Sequence, residues 1–377
     1  MANYSGVWSL EAQLQAVAAG NWTGIPLPQL WSWGQGTNGR LGLGNTTYYS
    51  SPKQVGALTT WSRLVTVRGN SAATKTDGTL WSWGRNHLGQ LGLGNTTDYS
   101  SPKQVGALTT WGIISGGNYF TLSIKTDGTL WSWGSGAFGA LGLGNTTNYS
   151  SPKQVGALTD WLRIASGAYF STAIKTDGTL WTWGRNTQGQ LGLGDTTARS
   201  SPNQVGALTT WSTVSCGELY STATKTDGTL WSWGYNANGN LGLGNTTNYS
   251  SPKQVGALTT WLSISCGEIF AIATKTDGTL WSWGWNFFGQ LGLGNTTDYS
   301  SPKQVGALTT WLTLAAGAHN ALTIKTDGTL WSWGYNASGQ LGLGNLTYYS
   351  SPKQVGALTT WLTISGGYSN ALAIKTP

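Results

Sequence analysis

The pentapeptide Leu30-Trp31-Ser32-Trp33-Gly34 returns at Leu80, Leu130, Leu180, Leu230, Leu280 and Leu330, with Thr182 replacing the serine once. Seven copies at a fixed spacing of fifty residues constrain this chain more than any other feature. Self-similarity at periods of about twenty to fifty residues marks solenoids, propellers and arrays, in which one unit cannot bury its apolar face alone. The period overrides the multi-domain prior that 377 residues would otherwise carry. One repeat domain over residues 28–377 is expected, preceded by a leader segment over residues 1–27.

One repeat can be parsed from Trp311. Leu312 to Ala315 is apolar and suits an innermost strand. After a turn at Gly317 to Asn320, Ala321 to Lys325 alternates and reads as a second strand. Thr326-Asp327-Gly328-Thr329 is a hairpin, because Asp-Gly supplies the positive φ of a tight turn. Leu330 to Trp333 is the third strand. A Gly- and Asn-rich connection, Gly334 to Ser351, leads to an outer strand at Pro352 to Val355, where Pro suits an edge. Four antiparallel strands make a propeller blade. The expected fold is all-β: a seven-bladed β-propeller of four-stranded antiparallel blades, with a short N-terminal helix. The chain enters at a third strand and leaves after a second strand, Ala371 to Lys375, so its C-terminal strands complete the blade that its N-terminal strands began.

Trp81 and Trp83 share one face of their strand, since side chains alternate. With Trp111 and its equivalents each repeat carries three tryptophans. Each buried ring removes about 150–250 Å² from water, worth roughly 4–6 kcal/mol before chain entropy is subtracted. They read as mortar between blades. Charged residues are only 9% of the chain, against about 25% in ordinary soluble domains. The net charge of +7 comes largely from lysines fixed by the repeat, such as Lys75 and Lys103, so no nucleic-acid stripe is expected. All seven arginines precede residue 200, whereas Glu218 and Glu268 follow it. Cys216 and Cys266 occupy equivalent positions, too few for a disulfide framework, and read as small buried residues. The N-terminus lacks a secretory pattern, and no apolar run is long enough to span a membrane.

In the leader, Ser9 is placed to cap a short helix through Leu10, Leu14, Val17 and Ala18, bracketed by Trp8 and Trp22 and ended by Gly20. A helix this short needs something to dock on, either its own ring or a larger assembly.

Catalysis needs paired acids and bases, an activated nucleophile or a metal cluster. The two histidines, His87 and His319, are far apart, and Asp77 and its equivalents are explained by their turn. The Gly-x-Leu-Gly-x-Gly runs at Gly89 and Gly139 lack the strand-then-helix context of a phosphate loop. No enzyme and no cofactor or metal is expected. Binding is the better question. Strands alternate in direction, so the first turn and the long connection emerge together on one face, where residues vary. That face is expected to carry Tyr119, Phe120, Tyr169, Phe170, Tyr220 and Phe270 in the first turn, and Arg85, His87, Phe138, Arg185, Tyr235, Trp285, Phe287, Phe288 and Tyr335 in the connection. Exposed aromatics with Arg are what binding hot spots use; the first-turn aromatics could instead plug the central channel.

Ile324 to Gly344, with Pro352 to Val355, resembles the regulator of chromosome condensation repeat family, and the likeness extends over about residues 28–377. The resemblance implies a seven-bladed propeller closed as described. It also implies a range of uses, from nucleotide exchange on a small GTPase to chromatin binding, ultraviolet sensing and scaffolding, and so fixes the fold without fixing the function. The chain departs from the family in its first turns, where only His319 stands as a remnant of a frequent His, and it lacks the photoreceptor's Gly-Trp-Arg-His-Thr cluster. The leader, Tyr4 to Leu10 with Gly20-Asn21-Trp22, resembles leader segments of tailed-phage virion proteins. Together these point to a structural or interaction protein of a phage particle, its helix attaching through Trp8, Leu10, Leu14, Val17 and Trp22 and its variable face meeting another virion protein or a host surface molecule. A soluble propeller regulating a GTPase or another protein, in the cytoplasm, and a carbohydrate-binding propeller are the alternatives.

Overall fold

The computed structural model describes residues 27–376. They form seven four-stranded antiparallel sheets, and the innermost strands of successive sheets touch all the way round, including Trp361–Gly366 against Trp61–Thr66. The ring is therefore closed. Blade 1 combines Gln29–Gly34 and Tyr49–Thr59 with Trp361–Gly366 and Asn370–Lys375; blades 2 to 7 follow in chain order from Trp61. The closing pair runs without a register shift from Gln29 opposite Lys375 to Gly34 opposite Asn370.

Blade 7 shows how the sequence yields the strands. Trp311–Ala316, Asn320–Lys325, Leu330–Gly334 and Tyr349–Gln354 pair in that order. The first three strands run slightly past the segments that mark them; the outer one begins three residues before its proline and ends at Gln354, one residue short of the expected Val355. Asp327 Oδ1 accepts the Thr329 N–H at 3.0 Å and closes the hairpin.

The tryptophans divide their work. Trp333 is fully buried and donates its indole N–H to the Gln290 carbonyl of blade 6 at 2.9 Å. Trp83 does the same to the Arg40 carbonyl of blade 1 at 3.0 Å, and Trp33 to Gln340 of blade 7 at 2.9 Å. The facing glycine cannot be replaced: Gly292 has φ +72°, and a Cβ there would lie 2.7 Å from Trp333 Nε1. Trp311 meets Trp331 and Trp333 edge-on inside its own blade, at 6.2 and 6.3 Å between ring centroids. Apolar clusters cross each seam, as where Leu30, Val55, Leu372 and Ile374 of blade 1 meet Trp61, Ala73 and Trp83 of blade 2. No helix among the described residues is long and apolar enough to cross a membrane. The leader helix, with Trp8, Leu10, Leu14, Val17 and Trp22, lies outside the described residues.

Candidate functional site: the variable face and the channel mouth

The first turn and the long connection emerge on the same face, tied together by backbone. Trp285 N–H donates to Ile269 O at 3.1 Å, Arg85 N–H to Gly69 O at 2.9 Å and Tyr335 N–H to His319 O at 3.0 Å. Five further bonds link neighbouring first turns around the central opening: Asn118 to Ala168, Ala168 to Glu218, Glu218 to Glu268, Glu268 to Ala318 and Ala318 to Gly367, at 3.0–3.2 Å. This backbone girdle fixes the side chains that surround the mouth.

The residues singled out on this face fall into two groups. On blades 6, 7 and 1, Trp285 stacks on Phe287 at 5.9 Å and meets Phe288 at 5.3 Å. Phe288 contacts Tyr335 at 4.7 Å and Tyr348 at 5.7 Å. His319 touches Trp285 at 5.3 Å and Tyr368 at 5.8 Å. Phe287 is 66% exposed, the most exposed aromatic of this group. On blades 2, 3 and 4, His87 and Arg85 approach Tyr119 at 5.3 and 5.4 Å, Tyr119 approaches Tyr169 at 6.2 Å, and Arg185 lies 5.3 Å over Phe138. Tyr235, on blade 5, makes no ring contact among the described residues.

Four expected face residues are not there. Phe120, Phe170, Tyr220 and Phe270 are fully buried, so they neither plug the channel nor meet a partner. Each opens a second strand and lies beneath the first-turn glycine: a Cβ on Gly117 would fall 2.0 Å from Phe120 Cε1. The ring fills the space that the missing side chain leaves. Cys216 and Cys266 are free and half-buried, and both border the central channel. Their thiols lie against buried threonines of the preceding blade, Cys216 Sγ 3.2 Å from Thr172 Oγ1 and Cys266 Sγ 3.0 Å from Thr222 Oγ1. Burial pushes the Cys216 thiol up to about 12.

The channel is a cavity of about 530 Å³, and Arg68, Glu218, Glu268 and Tyr368 stand among its lining residues. Arg68 lies 4.9 Å over the Tyr368 ring. His319 Nε2 lies 3.1 Å from Glu268 Oε2, yet neither Glu268 Oε2 nor His319 Nδ1 has a hydrogen-bond partner. Burial, with the neighbouring Glu218 carboxyl adding to it, pushes Glu268 up to about 8. Burial also holds His319 below its ordinary value. Both shifts favour the uncharged forms of this pair. Sequence reading missed Arg68, Glu218, Glu268 and Tyr368 as a group. Their signal was the residue after the first-turn glycine, which reads Asn118, Ala168, Glu218, Glu268, Ala318 and Tyr368 in successive repeats. Among the described residues no three His, Cys, Asp or Glu side chains are grouped to hold a metal.

The repeat model described as "Regulator of chromosome condensation (RCC1) repeat" matches residues 29–68, 77–124, 127–174, 177–224, 227–273, 277–324 and 327–374. The chain belongs to the RCC1 repeat family. Solved RCC1-like rings superpose well. Human WBSCR16 gives a TM-score of 0.83 at 19% identity, covering 93% of this chain and 99% of that one. Prp20p from Saccharomyces cerevisiae gives 0.84 at 20% identity, covering 94% and 92%. Yeast Prp20 bound to Kap60 gives 0.83 at 18% identity, covering 99% and 94%. These likenesses establish the fold. Among curated protein sequences no relative matches.

Proposed function

We propose that this chain is a non-catalytic interaction propeller that holds a protein partner on its variable face, centred on Trp285, Phe287 and Phe288. The observation that carries this reading is the aromatic patch across blades 6, 7 and 1, with Phe288 at its hub and Phe287 66% exposed at its edge. Other repeats accept Gln35, Arg85 or Ser135 in place of Trp285, Thr37, His87 or Ala137 in place of Phe287, and Asn38, Leu88 or Gln188 in place of Phe288, so packing of the ring does not demand them. Exposed clustered aromatics backed by Arg are the composition of interface hot spots. Fold neighbours support this use: Prp20p is described with binding to Gsp1p and histones, and in complex with Kap60.

The finer reading is that the ring is an appendage or host-contacting component of a phage particle, tethered by its leader. The test separates the two parts. Removing residues 1–26 is expected to abolish co-sedimentation with particles while leaving the ring folded. The double variant W285A/F287A is expected to keep particle association and to lose cross-linking to host surface proteins. Partner binding that survives W285A/F287A unchanged rules out the face assignment. Stimulated nucleotide release from a GTPase would replace the phage reading with the regulatory one.

A further inference from the structure

Three cavities of about 350, 330 and 410 Å³ lie in clefts between neighbouring blades, flanked by their outer strands. The first is lined by Leu293, Gln304, Leu308, Trp311, Trp331 and Pro352 among its eleven residues. The other two are lined by the equivalent eleven positions, shifted by whole repeats. All eleven residue types recur without a change in all seven repeats, and none is ionisable. Exposed positions elsewhere on the repeat, such as Tyr48, Asp98, Asn148 and Ala198, do vary.

Each cleft holds an unused donor. Trp311 is only 5% exposed, and its indole N–H has no acceptor. The same is true of Trp111, Trp161, Trp211, Trp261 and Trp361. A buried N–H without a partner costs about 1–3 kcal/mol, and six of the seven repeats carry one. The seventh equivalent, Trp61, donates to Leu58 O at 2.9 Å. There the outer strand continues to Thr59, whereas in the other repeats the same residue types leave the strand after the glutamine. One segment therefore has two arrangements, and only the extended one occupies the indole. The bent arrangement leaves the N–H, buried at the floor of the cleft, without an acceptor.

The remaining chemistry narrows the occupant. Trp331 is half-buried and held in place by its own N–H bond to Thr329 Oγ1 at 2.9 Å and by Lys325 Nζ 3.8 Å from its ring centroid. Gln304 offers an exposed amide and Ser351 a hydroxyl at the edge. A fitting ligand is uncharged, presents C–H groups to an indole and carries several oxygens. A charged ligand finds no ionisable lining residue. We propose that these clefts are subsites for neutral pyranoses, repeated around the rim. A single shallow site of this kind binds weakly, and six equivalent ones on a rigid ring give avidity toward a surface dense in glycans. This surface is distinct from the aromatic patch, so either assignment can fail without the other.

The full chain is titrated with glucose, galactose, mannose and N-acetylglucosamine to about 100 mM, well above the millimolar range of a weak single site, while indole ¹H–¹⁵N resonances are followed. The Trp311 signal, assigned by its loss in Trp311→Phe, is expected to shift saturably with at least one sugar, whereas the Trp61 and Trp333 signals stay. Replacing the seven exposed glutamines equivalent to Gln304 by alanine is expected to weaken binding at least tenfold with an unchanged melting temperature. The proposal is overturned if none of the four sugars moves the Trp311 signal, if the glutamine variant binds equally well, or if only an aliphatic peptide produces the shift.

Discussion

Phe270 and Phe287 are the same residue type, seventeen positions apart in one repeat, with opposite fates. Phe270 is fully buried under Gly267, and Phe287 is 66% exposed. Phe270→Ala should lower stability by about 3–5 kcal/mol, the usual loss for emptying a buried phenyl site. Phe287→Ala should change it by less than about 0.5 kcal/mol, and urea midpoints of the two variants measure the contrast. The sequence could not tell them apart, because a turn and the first residue of the next strand look alike when every first turn ends in an aromatic or Asn. Asn86 is the opposite case, a polar residue whose role is internal. Its Oδ1 accepts the Leu91 N–H at 2.9 Å and its Nδ2 donates to Asn95 O at 3.0 Å. Where Gly36 and Gly136 replace it, the connection folds differently and Asn38 and Phe138 adopt positive φ. Asn86→Ala should therefore destabilise by about 1–3 kcal/mol, the penalty for orphaning buried polar groups, read as a fall in the urea midpoint.

At the scale of strands, the closure of the ring was legible because each end of the chain holds a different half of one blade. Leu30 to Trp33 can only be a third strand and Ala371 to Lys375 only a second, since the Asp-Gly hairpin between them is replaced by Thr376-Pro377. What was not legible was the extent of blade 1's outer strand. It runs to Thr59, five residues past the Gln54 that ends the pattern in the other repeats, although its residues Val55 to Thr59 match theirs. Local sequence cannot distinguish two arrangements of one segment; that choice is made by what the strand pairs with, here Gln29 opposite Thr59. Deleting residues 361–377 should expose the Gln29–Gly34 edge and strip Trp361 from Trp31 and Trp33. An unpaired edge recruits other chains, so the truncated protein is expected to elute as oligomers or aggregate. A monomer with the melting temperature of the intact chain would show that closure contributes nothing.

At the scale of the whole ring, the channel mouth gathers Arg68, Glu218, Glu268, His319 and Tyr368 from five different blades, which no reading of a single repeat could assemble. That convergence makes the stability of the ring depend on pH. Glu268 is pushed up to about 8 from an ordinary 4.5. Above pH 4.5 the unfolded carboxyl has lost its proton while the folded one retains it, so stability falls as pH rises and levels off past 8. His319 and His87 are held below their ordinary 6.5. Their contribution is lost in the other direction, as pH falls below 6.5 and the unfolded imidazoles take up protons. Between pH 6.5 and 8 the histidines no longer oppose Glu268, and linkage gives a slope of up to about 1.4 kcal/mol per pH unit, or a loss of about 2 kcal/mol across the window. Melting temperatures are therefore expected to decline from pH 6.5 to 8 in the intact chain. Glu268→Gln should flatten that decline and raise the melting temperature at pH 8, because an amide keeps the neutral contact with His319 at every pH. Glu218→Gln should reduce the decline in part, since Glu218 reinforces a shift that burial begins. An intact chain whose melting temperature is level across this window, or a Glu268→Gln variant that still declines, would place the ionisation of the ring elsewhere than in the mouth.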